Sequence, residues 1–137
     1  MKLENLIIVL VLSLPLILII GFFGVYLSPW LKAKKACEVL TFKEYFKIKT
    51  VLEPNEANLI VNAYTRLVNS GISDASINDM MKIQQCGGNI ELVASRLIDA
   101  RKRNIQGQLI QVALLEFEER GVNEEGMRHI REYLENQ

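Results

Sequence analysis

The run LIIVLVLSLPLILIIGFFGVYL, residues Leu6–Leu27, holds 22 residues without a charged side chain. At 1.5 Å per residue a helix of this length spans about 33 Å, enough to cross a hydrocarbon core of about 30 Å. Tyr26 and Trp30 fall where amphipathic aromatic rings settle at the water boundary. The spacing therefore predicts an N-terminal transmembrane helix. Pro15, in the middle of the run, removes a helical hydrogen bond and predicts a kink, which neighbouring groups in a membrane tolerate. A re-entrant hairpin turning near Pro15 is the competing geometry. A cleaved signal peptide fits less well, because the apolar run is too long and no small-x-small site follows it cleanly. Lys32, Lys34 and Lys35 crowd the place where cleavage would occur. The two lysines before Ala36 also disqualify Cys37 as a lipidation site. Lys2, Glu4 and the amino terminus precede the run and three lysines follow it. The positive-inside rule then predicts a single-pass protein of the cell (inner) membrane, with its C-terminal side in the cytoplasm.

Outward from the run, the composition changes abruptly. No charge occurs from Asn5 to Leu31, while residues 32–137 carry 15 basic and 15 acidic side chains. Zero net charge argues against a nucleic-acid partner, whose backbone demands a basic surface. The neutrality conceals a gradient. Residues 32–49 hold six lysines and two glutamates; the tail from Glu116 holds seven glutamates and three arginines. Solvated helix faces are the plainer explanation. The functional one is attraction of the basic part to anionic lipid headgroups. The expected organisation is a membrane anchor over 1–31, a basic juxtamembrane amphipathic segment over 32–53, and a helical domain over 54–137.

Thr41-Phe-Lys-Glu44 has capping-box spacing and predicts a helix start. Beyond it Phe42, Tyr45, Phe46, Ile48, Val51 and Leu52 alternate with Lys43, Lys47 and Lys49. This stretch suits a helix lying among headgroups, and equally one whose aromatics enter the core. Tyr26, Trp30, Lys32, Lys34, Lys35, Phe42, Lys43, Phe46 and Lys47 are the expected membrane-interface residues. Pro54 suits a first helical position. Ala57, Leu59, Ile60, Ala63, Tyr64, Leu67 and Val68 then repeat at helical period up to a Gly71 cap. Ser73 or Asp74 is expected to open a short helix containing Ile77, Met80, Met81 and Ile83. Gly87-Gly88 break it, and Asn89 caps the next helix, with Ile90, Val93, Leu97 and Ile98 on one side. Gly107 leaves open one bent helix or two up to Gly121. Asn123 is expected to cap the last helix, with Val122 and Met127 as a hydrophobic staple and Ile130, Tyr133 and Leu134 as its buried side. The fold class is all-α: the transmembrane helix, then a small multi-helix cytoplasmic domain.

Enzymatic constellations are sparse. The single His129 stands between Arg128 and Arg131 at an expected exposed position. No serine occupies a nucleophile elbow, and no glycine-rich loop has phosphate-binding spacing. Glu118-Glu119 and Glu124-Glu125 are read as solvated, since adjacent helix residues point apart. Cys37 and Cys86 lack the pairing or clustering of a disulfide framework or metal site and are read as reduced thiols. No catalytic residue, cofactor or metal is expected.

Two resemblances extend this reading. Gln85-Cys-Gly-Gly-Asn-Ile90 resembles the helix 2–helix 3 junction of ubiquitin-associated (UBA-like) modules, a helix–turn–helix with a glycine-asparagine turn. It implies that Gly71, Ile72, Gly87 and Gly88 border a partner-binding, peptide-holding surface. More of the chain is similar to the N-terminal part of the bacterial flotillin-like (FloA-type) family. The residues concerned are Leu59-Ile-Val-Asn-Ala63, Gly71-Ile72, Gly87-Gly-Asn-Ile-Glu-Leu-Val93, Leu97-Ile-Asp-Ala100 and Arg103-Asn-Ile105. In that family a membrane segment precedes this region and a flotillin (SPFH, or band 7) domain follows, for which these 137 residues have no room. The tail after Leu114 is also more acidic than the family pattern. The resemblance implies membrane association and scaffolding in lipid domains. The expected function is a non-enzymatic membrane-anchored scaffold or adaptor, with membrane lipid and either an unidentified protein or its own copies as partners. The alternative is a small regulatory subunit of a larger membrane complex, such as a transporter or secretion system, with Gly21 and Gly24 as a helix-packing face.

Overall fold

The computed structural model describes residues 3–121 and 124–136, with side chains from residue 8 onward. Every regular element among them is helical. The chain divides into two compact units, Met1–Phe42 and Lys43–Gln137. The expected 32–53 segment is thus shared between them. Its second half contributes Tyr45, Ile48 and Leu52 to the buried core.

In the first unit, α1 (Leu3–Phe22) runs into a wider π-helical turn (Phe23–Leu27) and then α2 (Ser28–Ala36). Ile8–Ala36 is one helix of 29 residues with a window of mean hydropathy 2.9, and none of that window is buried. The helix is long and apolar enough to cross a membrane. Pro15 lies inside α1, so the chain continues through it and does not turn there. Ser13 folds its hydroxyl back onto Leu10 O at 3.1 Å, which satisfies its hydrogen bonding within the helix. The π turn has a local cause in Pro29. A proline ring presses on the carbonyl four residues earlier, here Val25, and widening that turn relieves the clash while Ser28 N–H donates to Phe23 O.

The second unit takes up α3 (Phe42–Val51) from Lys43, and α4 (Pro54–Asn69), α5 (Ile77–Gln85), α6 (Ile90–Lys102), α7 (Leu109–Arg120) and α8 (Glu124–Glu135) follow. α4 packs on α5 and α6, and α7 packs on α5, α6 and α8. The core is apolar: Ile60 and Leu67 of α4, Met80 and Ile83 of α5, Val93 and Leu97 of α6, Phe117 of α7 and Ile130 of α8 are all sealed from solvent. α3 and α4 begin where Thr41 and Pro54 predict. α5 begins later than expected: neither Ser73 nor Asp74 caps it. The Ser76 hydroxyl accepts from Asn78 N–H at 3.1 Å and fixes the start at Ile77. Asn89 caps α6 through Leu92 N–H, also at 3.1 Å. The question left open at Gly107 resolves to two helices, because α6 stops at Lys102 and Asn104 turns left-handed with φ +58°. α7 then starts behind Gln108, whose N–H donates to Gln111 Oε1 at 3.1 Å. Tyr133 and Leu134 are half-buried rather than fully buried. The cap and staple expected at Val122 and Asn123 lie outside the described residues.

Candidate functional site

Two places concentrate the residues singled out in the sequence. The first is the end of the long helix. Phe22 and Tyr26, one turn apart, stack at 5.4 Å between ring centroids. The turn after α2 closes with Leu40 N–H donating to Cys37 O at 3.2 Å. It carries Phe42 edge-on to Trp30 at 5.3 Å and to Phe22 at 6.1 Å. Trp30 Nε1–H donates to Leu40 O at 3.4 Å, and Lys34 Nζ stands 5.3 Å from the Trp30 ring centroid. Tyr26, Trp30 and Phe42 are half-buried, while Lys32, Lys34 and Lys35 are exposed. Apolar ring bodies with indole and phenol tips, bordered by lysines, are the chemistry of a membrane–water boundary. Of the remaining residues expected there, Lys43, Phe46 and Lys47 are exposed on α3 in the second unit.

The second place is the double-glycine turn. α5 ends in a Schellman arrangement: Gly88 N–H donates to Ile83 O at 2.9 Å and Gly87 N–H to Gln84 O at 3.0 Å. The two glycines serve different needs. Gly87 has φ +83°, with open space where a side chain would stand. Gly88 is buried, and a Cβ there would meet Ile83 Cγ2 at 2.5 Å, Ile83 O at 2.8 Å and Phe117 Cζ at 3.2 Å. Gly126 of α8 is equally tight, since a Cβ would lie 2.6 Å from Cys86 O. The inner side of the turn is therefore filled by α7 and α8, and only Gly87 faces out. α4 ends the same way, with Ile72 N–H donating to Leu67 O at 3.0 Å; Gly71 is exposed but Ile72 is buried. Of the four expected partner-binding residues, Gly71 and Gly87 are accessible and Ile72 and Gly88 belong to the core.

A residue that sequence reasoning missed stands beside this turn. Glu116 is fully buried and forms a two-armed ion pair with Arg120, Nε to Oε1 and Nη2 to Oε2. The Oε1 arm is an ionic contact rather than a well-directed hydrogen bond. Arg120 Nη2 also donates to Gly87 O at 3.2 Å, so the pair ties α7 to the turn. The sequence did hold the signal, because Glu116 falls on the same stripe as Leu109, Ile110, Ala113 and Phe117, with Arg120 at i+4. Counting it with the solvated acidic tail concealed this.

Cys86 and His129, the side chains of reactive type near this turn, border one cleft. Cys86 is half-buried, and burial pushes its thiol up while Lys82 pulls the other way. A low-pKa nucleophile needs the opposite balance. His129 is exposed, with Glu125 and Glu132 at 3.8 and 3.5 Å on its own helix. A cleft of about 210 Å³ includes Asp74 and Asp79, but Arg101 pairs with Asp74 at 2.5 Å and Tyr133 OH donates to Asp79 at 2.8 Å.

The fold and these places define an all-α protein with an N-terminal helix able to cross a membrane. No family model matches the chain, and no curated protein or solved structure matches it either.

Proposed function

We propose that the chain is a membrane-anchored, non-enzymatic scaffold or adaptor. Its helical unit is held at the cytoplasmic face and binds a protein partner or further copies of itself. The observation that carries this reading is the continuous helix from Ile8 to Ala36, free of charge up to Leu31, whose end gathers Phe22, Tyr26 and Trp30 with Phe42 beside three exposed lysines. Its 29 residues measure about 44 Å, the thickness of a bilayer with its headgroup layers. The lysine bias after the span supports cytoplasmic placement in a cell membrane. The flotillin-like pattern of residues 59–105 supports scaffolding over catalysis.

The alternative role, a regulatory subunit of a larger membrane complex, draws on Gly21 and Gly24. Both have open space where a side chain would stand, a surface that admits a close helix neighbour. Crosslinking in native membranes, followed by mass spectrometry, tests both readings. A scaffold yields crosslinked copies or a defined partner joined through the helical unit, and Gly21→Leu with Gly24→Leu changes little. Loss of all crosslinks in that double variant favours the subunit reading. A wild-type chain that stays monomeric and captures nothing contradicts both.

A further inference from the structure

We propose that the outward face of α3, with the groove between α3 and α5, docks on anionic phospholipid headgroups. This deepens the anchoring reading above and rests on it. α3 is two-sided. Tyr45, Ile48 and Leu52 are buried, whereas Lys43, Phe46, Lys47, Thr50 and Val51 are exposed. Those five positions follow i, i+3, i+4, i+7, i+8 and form one stripe. The stripe combines two ammonium groups with two exposed apolar side chains and no carboxylate. Water is a poor partner for Phe46 and Val51, the latter 52% exposed. A headgroup layer accepts both kinds of group, apolar ones toward the acyl boundary and lysines among phosphates.

The stripe continues into a groove of about 320 Å³ whose polar lining includes Lys47, Asn78, Lys82 and Gln85, with no carboxylate. Lys47 Nζ donates to Asn78 Oδ1 at 2.6 Å, which holds that ammonium at the groove. Two cations and two amides suit a phosphodiester or a serine headgroup. The nearby acids are engaged or turned elsewhere. Asp79 accepts from Tyr133, Glu44 is half-buried off the stripe, Glu53 lies beyond the end of α3, and Glu125 borders a neighbouring cleft shared with Lys82. Lys49, off the stripe, is bound to Asn58 at 2.7 Å. A lipid surface is favoured over an acidic protein by tethering. Five residues, 37–41, separate α2 from α3, a reach of at most about 18 Å when fully extended. The bilayer is therefore always within range, at high effective concentration.

Amine footprinting of the full chain tests this. The chain is placed in nanodiscs of phosphatidylcholine, with or without phosphatidylserine, and exposed to an acylating reagent. Labelling of Lys43, Lys47 and Lys82 is expected to fall about fivefold with the anionic lipid. It should recover in about 1 M salt, where the Debye length shrinks to about 3 Å. Lys102, 72% exposed at the end of α6, should label equally in both discs. Lys43→Gln with Lys47→Gln should abolish the protection of Lys82. Equal labelling of the three lysines in both lipids overturns the proposal, as does matching protection of Lys102. Protection of Lys47 and Lys82 by inorganic phosphate in phosphatidylcholine discs also overturns it, in favour of a free-anion site. Protection that requires an added acidic protein points to a protein partner and overturns it too. Co-elution with the discs, read on the same samples, separates the two failures. A chain retained but unprotected loses only the docking, and a chain absent from the discs loses the anchor as well.

Discussion

Phe117→Ala is expected to destabilise the helical unit by about 3–5 kcal/mol, the range for a fully buried aromatic truncated to a methyl group. Phe117 is sealed from solvent where three elements meet. Its ring edge reaches the places a Cβ would occupy on Gly88 and Gly126, and the Arg120 guanidinium lies 5.8 Å from its centroid. Gly88 is packed against Ile83 and this ring, and Gly126 against Cys86 O and this ring, so the surroundings have little freedom to collapse into the hole. A domain of this size holds about 5–14 kcal/mol in total, so the loss takes a large share. Pulse proteolysis of the full chain in urea measures it. The midpoint should drop by about 2 M for a slope near 2 kcal/mol per M. Gly88→Ala should cost about 1–3 kcal/mol by overpacking against Ile83 O, which is backbone and cannot swing away. Gly87→Ala, strained only in φ, should cost about 1 kcal/mol. A Phe117→Ala midpoint within about 0.5 M of the wild type would mean that α7 does not close over the turn.

The second large effect concerns the anchor. Ile17→Arg combined with Leu18→Arg places two guanidinium groups near the middle of the apolar run. On insertion scales each exchange costs about 3–4 kcal/mol at the helix centre, or about 6–8 kcal/mol together. Ile17 and Leu18 are 63% and 65% exposed, so the substitution removes no packing from the helical unit. The fraction of chain resisting alkaline carbonate extraction should collapse, while the urea midpoint of the helical unit stays put. A double-arginine chain retained as firmly as the wild type would show that this helix does not cross the bilayer.

Much of the architecture is legible in the sequence, and the reasons are local. The apolar run, the Pro54 start, the Gly71 end and the Asn89 cap each rest on chemistry within a few residues. So does the stripe of α4, whose Ala57, Ile60, Ala63, Tyr64 and Leu67 are buried. The errors arose where local signals competed or where tertiary contact decides. Ser73, Asp74 and Ser76 are all capable caps, and only the extended chain before Ile77 selects Ser76. The break at Asn104 is masked by the more conspicuous Gly107, although asparagine is among the few non-glycine residues that enter the left-handed region. In sequence the double glycine reads as a single helix-breaking turn. Gly88 is required first by Ile83, whose Cγ2 and carbonyl oxygen would lie 2.5 and 2.8 Å from a Cβ, and Phe117 at 3.2 Å adds a contact 29 residues away that no local pattern encodes. Glu116 belonged by period to the buried side and by charge to the surface, and Arg120 resolves the conflict. For α3 the sequence supports both a lipid-facing and a core-facing helix; the structure buries Tyr45, Ile48 and Leu52 and leaves Lys43, Phe46 and Lys47 exposed.

The most direct test of an anchored helical unit facing the cytoplasm is protease access to an epitope joined after Gln137, in sealed right-side-out and inverted vesicles. The wild-type chain should resist carbonate extraction, keep its epitope in right-side-out vesicles and lose it in inverted ones. An epitope lost from right-side-out vesicles, or a chain released by carbonate, would contradict that placement.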